Sequence, residues 1–373
     1  MNLRHRIFGK NVSIDLTGLP EAGVLEAELN LYPSVSEEIT DLFISFAAEL
    51  GRSCIKSTNP STHQLLASGI GVVMGTSEVQ FLFENGRLSR INFSFVKPKG
   101  NILLNTFQKL KSIQYLTDRE AIGQIFHELI LIPSVFFDPS RAIVHASGIT
   151  TPKRQTVLFG GTGGVGKTSL ELELCLHKSC HFVADDLCVI NNRGEVFPNL
   201  AYPKVYGYNV KGNIPVKKAI FRQRNIVDKL QWHLLTTRGL NKVRRQISPK
   251  ELYGNVISDG TGLDKFIILS RENVSKIQLV DLSASLAAKL NAKVIQSEYG
   301  VFLNHIYWHE YNSYLTNQEP YLTIEKILAN LESNLAQALN NVEVYNLKIP
   351  ISQDHSKFVY QALEVLQEEL QLF

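Results

Sequence analysis

The stretch QTVLFGGTGGVGKTSLELELCLH, residues 155–177, decides the fold. It opens on the apolar, β-prone run Thr156–Phe159. It then passes through Gly161-Thr162-Gly163-Gly164-Val165-Gly166-Lys167-Thr168 and continues into good helix formers. Glycines spaced as G-x-x-x-x-G-K-[ST] let successive backbone N–H groups turn inward without Cβ clashes, and a helix that follows adds partial positive charge at its N-terminus. Such a loop cradles phosphates: Lys167 is expected to reach the β- and γ-phosphates of a nucleotide, and Thr168 to ligate Mg²⁺. Leu170, Leu172, Leu174 and Leu176 alternate with Glu171, Glu173 and Cys175 as a half-buried strand would. A helix is expected there all the same, because the cradle needs a helix N-terminus and Leu and Glu are both strong helix formers.

The next apolar run, Phe182-Val183-Ala184, ends in Asp185-Asp186, eighteen and nineteen residues after Lys167. A short helix therefore returns to a neighbouring strand that ends in two carboxylates. Successive strand side chains point to opposite faces, so one carboxylate is expected to address the Mg²⁺–phosphate and the other an acceptor hydroxyl. A Walker-B-like pair in an ATPase or GTPase would look the same in sequence.

Around this centre, Ala142–Ala146 and Gln155–Phe159 read as two strands joined across the polar turn Thr150–Arg154, and Leu187–Ile190 as another before the turn Asn191–Gly194. Strands followed by helices predict an α/β domain over 138–280. Residues 1–137 read as an α+β domain with no recognisable chemistry. Its strands are expected at Ile70–Gly75, Val79–Glu84 and Leu88–Phe95, with a hairpin at Asn85-Gly86, and its helices at Glu37–Leu50 and Asp118–Leu131. Residues 281–373 read as a mostly helical extension. It carries one strand-like run, Val342–Ile349, and a closing amphipathic helix, His355–Leu370. That late strand needs a sheet to join, so the extension is expected to pack back on the central domain.

With 373 residues, 44% hydrophobic and 20% charged, the chain is neither disordered, collagenous nor coiled coil. Its longest apolar stretch, Leu129–Phe137, is broken by Pro133 and Ser134 and falls far short of the roughly 20 residues a bilayer crossing needs. The basic N-terminus lacks an apolar signal core, so a cytoplasmic protein without a membrane partner is expected. Cys175, His177, Cys180, His181 and Cys188 cluster and could suggest zinc, but without a C-x₂₋₄-C pair the cysteines read as buried thiols. Residues 211–250 hold eleven Lys and Arg against one acid, Asp228, in a chain whose net charge is +3. Such segregation faces an anionic partner or a solvated surface. No nucleic-acid-binding module is visible.

The run His181-Phe182-Val183-Ala184-Asp185-Asp186-Leu187, after the glycine loop and Leu172-Glu173-Leu174, resembles the catalytic domain of the HPr serine kinase/phosphorylase family, whose P-loop is related to that of phosphoenolpyruvate carboxykinase. The resemblance is clear over about 140–192. It implies an α/β P-loop kinase fold flanked by the N-terminal α+β domain and the helical C-terminal extension. It also implies a stand-alone member, of which one type phosphorylates precursor peptides such as those of lasso peptides. By resemblance, His145, sixteen residues before Gly161, would stabilise the transferring phosphoryl group. Asp186 would be the general base towards a serine hydroxyl, and Asp185 would sit near the metal. A catalytic arginine is also implied, with Arg244 and Arg245 the candidates. Where the family has a carboxylate-bearing L-E-I-R-G segment, this chain reads Tyr202-Pro203-Lys204-Val205-Tyr206-Gly207-Tyr208.

The function expected is therefore an ATP- and Mg²⁺-dependent kinase acting on a peptide, protein or small-molecule hydroxyl acceptor, an acidic one if the basic segment recognises it. The alternatives are a nucleotide-dependent NTPase switch and a small-metabolite kinase using the same site. A homo-oligomer is left open.

Overall fold

The computed structural model describes residues 1–19, 22–36, 39–74, 77–95, 118–222 and 224–373. It is a mixed α/β structure built on two large sheets. Strands β1 (Asn2–Ile7), β2 (Lys10–Asp15), β3 (Leu42–Ala47), β4 (Ile55–Thr58), β5 (His63–Leu66), β6 (Gly69–Met74), β7 (Ser77–Glu84) and β8 (Arg87–Phe95) form the first sheet. Its order is β1-β2-β3-β8-β7-β6-β5-β4, with β2, β3 and β8 parallel neighbours. Asn85 and Gly86 both have positive φ, the backbone twist a two-residue hairpin between β7 and β8 requires. The helix expected over Glu37–Leu50 is not formed. Residues 37 and 38 lie outside the described residues, and Leu42–Ala47 is strand β3, with Leu42, Ile44 and Phe46 buried in strict alternation. Period-two burial against the sheet outweighs the local helix preference.

Helix α1 (Ala22–Leu29) lies beside α2 (Asp118–Ile125), which widens into a π-helical segment, Phe126–Leu131, and a final turn, Ile132–Val135. The second sheet contains β9 (Arg141–Val144), β10 (Ala146–Thr150), β11 (Thr156–Gly160), β12 (His181–Ala184), β13 (Cys188–Asn191), β14 (Glu195–Phe197), β17 (Thr261–Glu272), β18 (Gln278–Asp281) and β19 (Glu343–Pro350). β11 runs parallel to β17 and β17 parallel to β19, while β10–β11 is an antiparallel hairpin. Helix α3 (Lys167–His177) follows β11 and packs on β10, burying Leu170, Leu172 and Leu174. The alternating leucines thus sit on a helix buried on most of its surface. Between the two halves of this sheet the chain makes a ribbon of β15 (Lys204–Tyr206) and β16 (Arg244–Gln246), with helices α4 (Ile214–Phe221) and α5 (Ile226–Thr236) in the intervening loop.

Helices α6 (Ala284–Glu298) and α8 (Ile324–Ala338) cover β9, and α7 (Gly300–Leu315) reaches the first sheet at β4 and β5. The last helix, α9 (His355–Leu370), crosses α3 and inserts Phe358 beneath the glycine loop. One continuous apolar core includes side chains from both sheets and from α6 to α9. No helix among the described residues is long and apolar enough to cross a membrane.

Candidate functional site

Two strand breaks lie side by side and make the site. β9 pairs with β13 and β10 with β12, so the chain crosses from one half of the sheet to the other at His145 and again at Asp185-Asp186-Leu187. The pairings Gly148↔Ala184 and Val144↔Cys188 bracket the breaks and bring His145 and Ser147 against the two aspartates. The Asn291 side chain on α6 clamps the first break: its Oδ1 accepts from the His145 N–H at 3.0 Å and its Nδ2 donates to the Ile143 carbonyl at 2.9 Å. At the second break Asp186 takes a left-handed conformation, φ 71°. The two carboxylates diverge because the backbone turns between them, and not, as the strand pattern suggests, by alternation along one strand.

Asp185 Oδ1 accepts from Thr168 Oγ1 at 2.8 Å and from Ser147 Oγ at 3.0 Å. Asp185 is buried, and burial and then the Asp186 charge push its carboxyl above the ordinary value. Behind it Glu171 is completely buried; its Oε1 accepts from the Tyr253 hydroxyl, and its Oε2 has no hydrogen-bond partner. Burial and the Asp185 charge raise the Glu171 carboxyl well above the usual range.

Asp186 faces the other way. Its Oδ1 lies 3.1 Å from His145 Nε2, and its Oδ2 accepts from Lys204 Nζ at 3.2 Å; the same ammonium donates to Glu128 Oε1 at 2.8 Å. Desolvation pushes this carboxyl up, but His145, Lys204 and Lys167 together outweigh it and hold Asp186 below the carboxylate range. Its side chain is 48% exposed and opens on a pocket of about 230 Å³ lined by Glu128, His145, Lys204, Glu298 and Tyr299. His145 is buried, with no hydrogen-bond partner for Nδ1.

The glycine loop lies between β11 and α3. Gly161, Gly164 and Gly166 all have positive φ. A Cβ at Gly166 would stand 2.2 Å from Phe358 Cε1, and one at Gly161 would stand 2.6 Å from the Leu269 carbonyl oxygen. Only glycine fits either place. Thr162, Gly163 and Gly164 are exposed at the mouth, while Val165 anchors the loop in the core. Lys167 is buried and its Nζ donates to the Gly161 and Thr162 carbonyls, both at 3.0 Å. Burial lowers its basicity against the opposing pull of Asp186 and Asp185.

Arg244 and Arg245 lie on β16 but point differently. Arg244 Nη1 donates to the Tyr206 hydroxyl at 3.0 Å, and its charge is felt at Lys204. Arg245 is fully buried: its Nε donates to Asp228 Oδ1 at 2.6 Å, and its other nitrogens to Gln231 and to backbone carbonyls. The structure thus makes Arg245 an anchor between β16 and α5.

The residues that sequence reasoning missed are Lys204, Glu128, Ser147 and Glu171. Lys204 stands in the stretch noted for having no carboxylate, where a search for acids is blind to a cation. Ser147 and Glu171 acquire their roles from strand register and helix packing. Chemically, the hydroxyl of Thr168 and the carboxylate of Asp185 are hard oxygen donors of the kind that hold Mg²⁺ together with water and phosphate oxygens. Among the described residues no group of three His, Cys, Asp or Glu side chains stands ready to hold a metal alone.

No family model matches the chain, and no curated protein matches it. Among solved structures it is similar to the Hpr(Ser) kinase/phosphatase from Coxiella burnetii. The alignment covers 61% of this chain and 88% of that one at 11% identity, with a TM-score of 0.28. A likeness that loose transfers no residue role.

Proposed function

We propose that this chain is an ATP- and Mg²⁺-dependent kinase that transfers the γ-phosphoryl group to a hydroxyl acceptor, foremost a serine of a peptide or protein. The observation that carries the reading is the division of labour at the second strand break. Asp185 is tied at 2.8 Å to Thr168 at the start of the helix behind the glycine loop, while Asp186 turns to His145 and an open pocket. In this reading loop residues Gly161–Thr168 bind the nucleotide phosphates as a P-loop, with Lys167 moving from its two carbonyls onto phosphate oxygen. Thr168 and Asp185 would hold Mg²⁺, which would supply neutralisation of phosphate charge.

The acceptor oxygen bonds to the γ-phosphorus, the bond to the β-phosphate oxygen breaks, ADP leaves, and the hydroxyl proton passes to Asp186. So weak a base suffices because phosphoryl transfer is loose, with little build-up of charge on the nucleophile. His145 and Lys204 keep Asp186 oriented and ionised, and Arg244 is near enough to Lys204 to contribute charge. The pocket beside Asp186 has room for a small alcohol as well as a serine side chain, which favours a small-metabolite kinase as the second reading.

The test is the fate of γ-labelled ATP with wild type and Asp186→Asn. Label on an acceptor, reduced about 10²–10⁴-fold in the variant while nucleotide binding is kept, supports the proposal. Label appearing only as free phosphate makes the chain an NTPase switch, and undiminished transfer removes Asp186 from the base role.

A further inference from the structure

Helices α4 and α5 and the turns beside them carry the basic stretch of the chain. Lys217, Lys218, Arg222, Lys229, Arg238 and Lys242 all stand in solvent. The only acid between residues 211 and 250, Asp228, is buried under α5 and held by Arg224 and Arg245. The exposed face of this segment therefore presents cations and no anion. Along it Ile226, Leu230 and Leu234 are 74%, 59% and 67% exposed, with Val227 beside them. At 3.6 residues per turn these four fall within an arc of about 100°. The opposite face, Asp228, Gln231, Trp232 and Leu235, is buried. Helix α5 thus buries one face, where Asp228 and Gln231 pair with Arg245 beside Trp232 and Leu235, and leaves an apolar stripe exposed on the other.

We propose that the exposed face of α5 is a docking surface for an acidic peptide segment that lays an amphipathic helix along the Ile226–Leu230–Leu234 seam. Three features favour that occupant. An apolar stripe about 100° wide, with side chains at i, i+4 and i+8, is the width one helix buries against another. Lys229 borders the seam, where a flanking charge selects an oppositely charged partner helix. The helix is fixed to the fold through Arg245 and Asp228, so the seam is preformed to receive one partner helix. Helix α5 is tied to the ribbon that supplies Lys204 to the site: Arg245 on β16, which holds Asp228, pairs with Val205 on β15, next to Lys204, which contacts Asp186. The docking needs no phosphoryl transfer and is measured apart from it.

The experiment uses the full chain and a fluorescently labelled acidic peptide of about four helical turns, with leucines at helical spacing, glutamates elsewhere and no hydroxyl residue. Saturable binding is expected. It should weaken at least tenfold, about 1.4 kcal/mol, in Leu230→Ser/Leu234→Ser and in Lys229→Glu, and again for a scrambled peptide of identical composition. Nucleotide binding should stay unchanged in both variants. Equal binding of the scrambled peptide, or insensitivity to both variants, overturns the proposal, as does absence of binding. Binding to phosphatidylserine-containing vesicles without peptide binding assigns the face to a membrane. A dimer that these substitutions dissolve, again without peptide binding, assigns it to a second copy of the chain.

Discussion

Adding one methyl group at Gly166 tests whether the C-terminal helix sets the shape of the glycine loop. In Gly166→Ala the new Cβ would sit 2.2 Å from Phe358 Cε1 and 2.7 Å from Cζ, on a backbone with φ 118°. Overpacking of this kind costs about 1–3 kcal/mol, and the forbidden dihedral about another 1–3 kcal/mol. Phe358→Leu removes the offending ring edge at a cost of about 1.5 kcal/mol from lost packing. The double variant keeps the dihedral strain but loses the clash. Its destabilisation should fall short of the sum of the single changes by about 1–3 kcal/mol, a coupling well beyond the roughly 0.5 kcal/mol scatter of independent sites. Urea unfolding of all four proteins measures the cycle, with nucleotide affinity followed in parallel. Affinity should drop in Gly166→Ala and recover in part in the double variant. Simple additivity of the unfolding energies would refute the claim that Phe358 buttresses the loop.

Lys204→Met should cost about 1–2 kcal/mol at neutral pH, because water at the half-exposed Asp186 screens most of the roughly 5 kcal/mol a fixed pair would gain. The folded state raises the Lys204 pKa, despite desolvation, through Asp186 and Glu128, so this stability is complete below the unfolded lysine value and is lost only in strongly alkaline solution. Urea melts between about pH 5 and 9 should therefore show a constant gap from wild type, and a gap that closes near neutrality would contradict the assignment. Arg245→Met should destabilise by about 3 kcal/mol, Arg224 still holding Asp228, yet leave turnover per folded molecule intact; lost turnover in well-folded protein would return Arg245 to the catalytic set. Glu171→Gln should gain stability relative to wild type as pH rises. The wild-type carboxyl is raised on folding, so its contribution fades from about pH 4.3 upward, and a pH-independent difference in melting temperature would show that Glu171 is ionised.

Much of the central region is legible from sequence because its signals are local. The strand Thr156–Gly160, the glycine loop and the helix Lys167–His177 follow one another within a single stretch, and the loop's need for a helix N-terminus overrules the alternation of leucines. The closing helix His355–Leu370 and the strand Glu343–Pro350 are equally clear in their own periodicity. Leu42–Ala47 is misread because strand pairing with β2 and β8, remote in sequence, decides its state. The same distance hides Ser147 from Asp185, and Lys204 and Glu128 from Asp186.

By itself the sequence determined the order of local elements and the residue types able to meet phosphate: glycines where only a bare backbone turns, a lysine, a hydroxyl and two adjacent acids. Tertiary structure alone decided which way those acids face, that Lys204 rather than a carboxylate stands beside Asp186, and that Arg245 is buried while Arg244 is not. Backbone conformation and helix periodicity are written over a few residues. The charge, burial and pairing of a side chain depend on what distant segments place within a few ångströms of it.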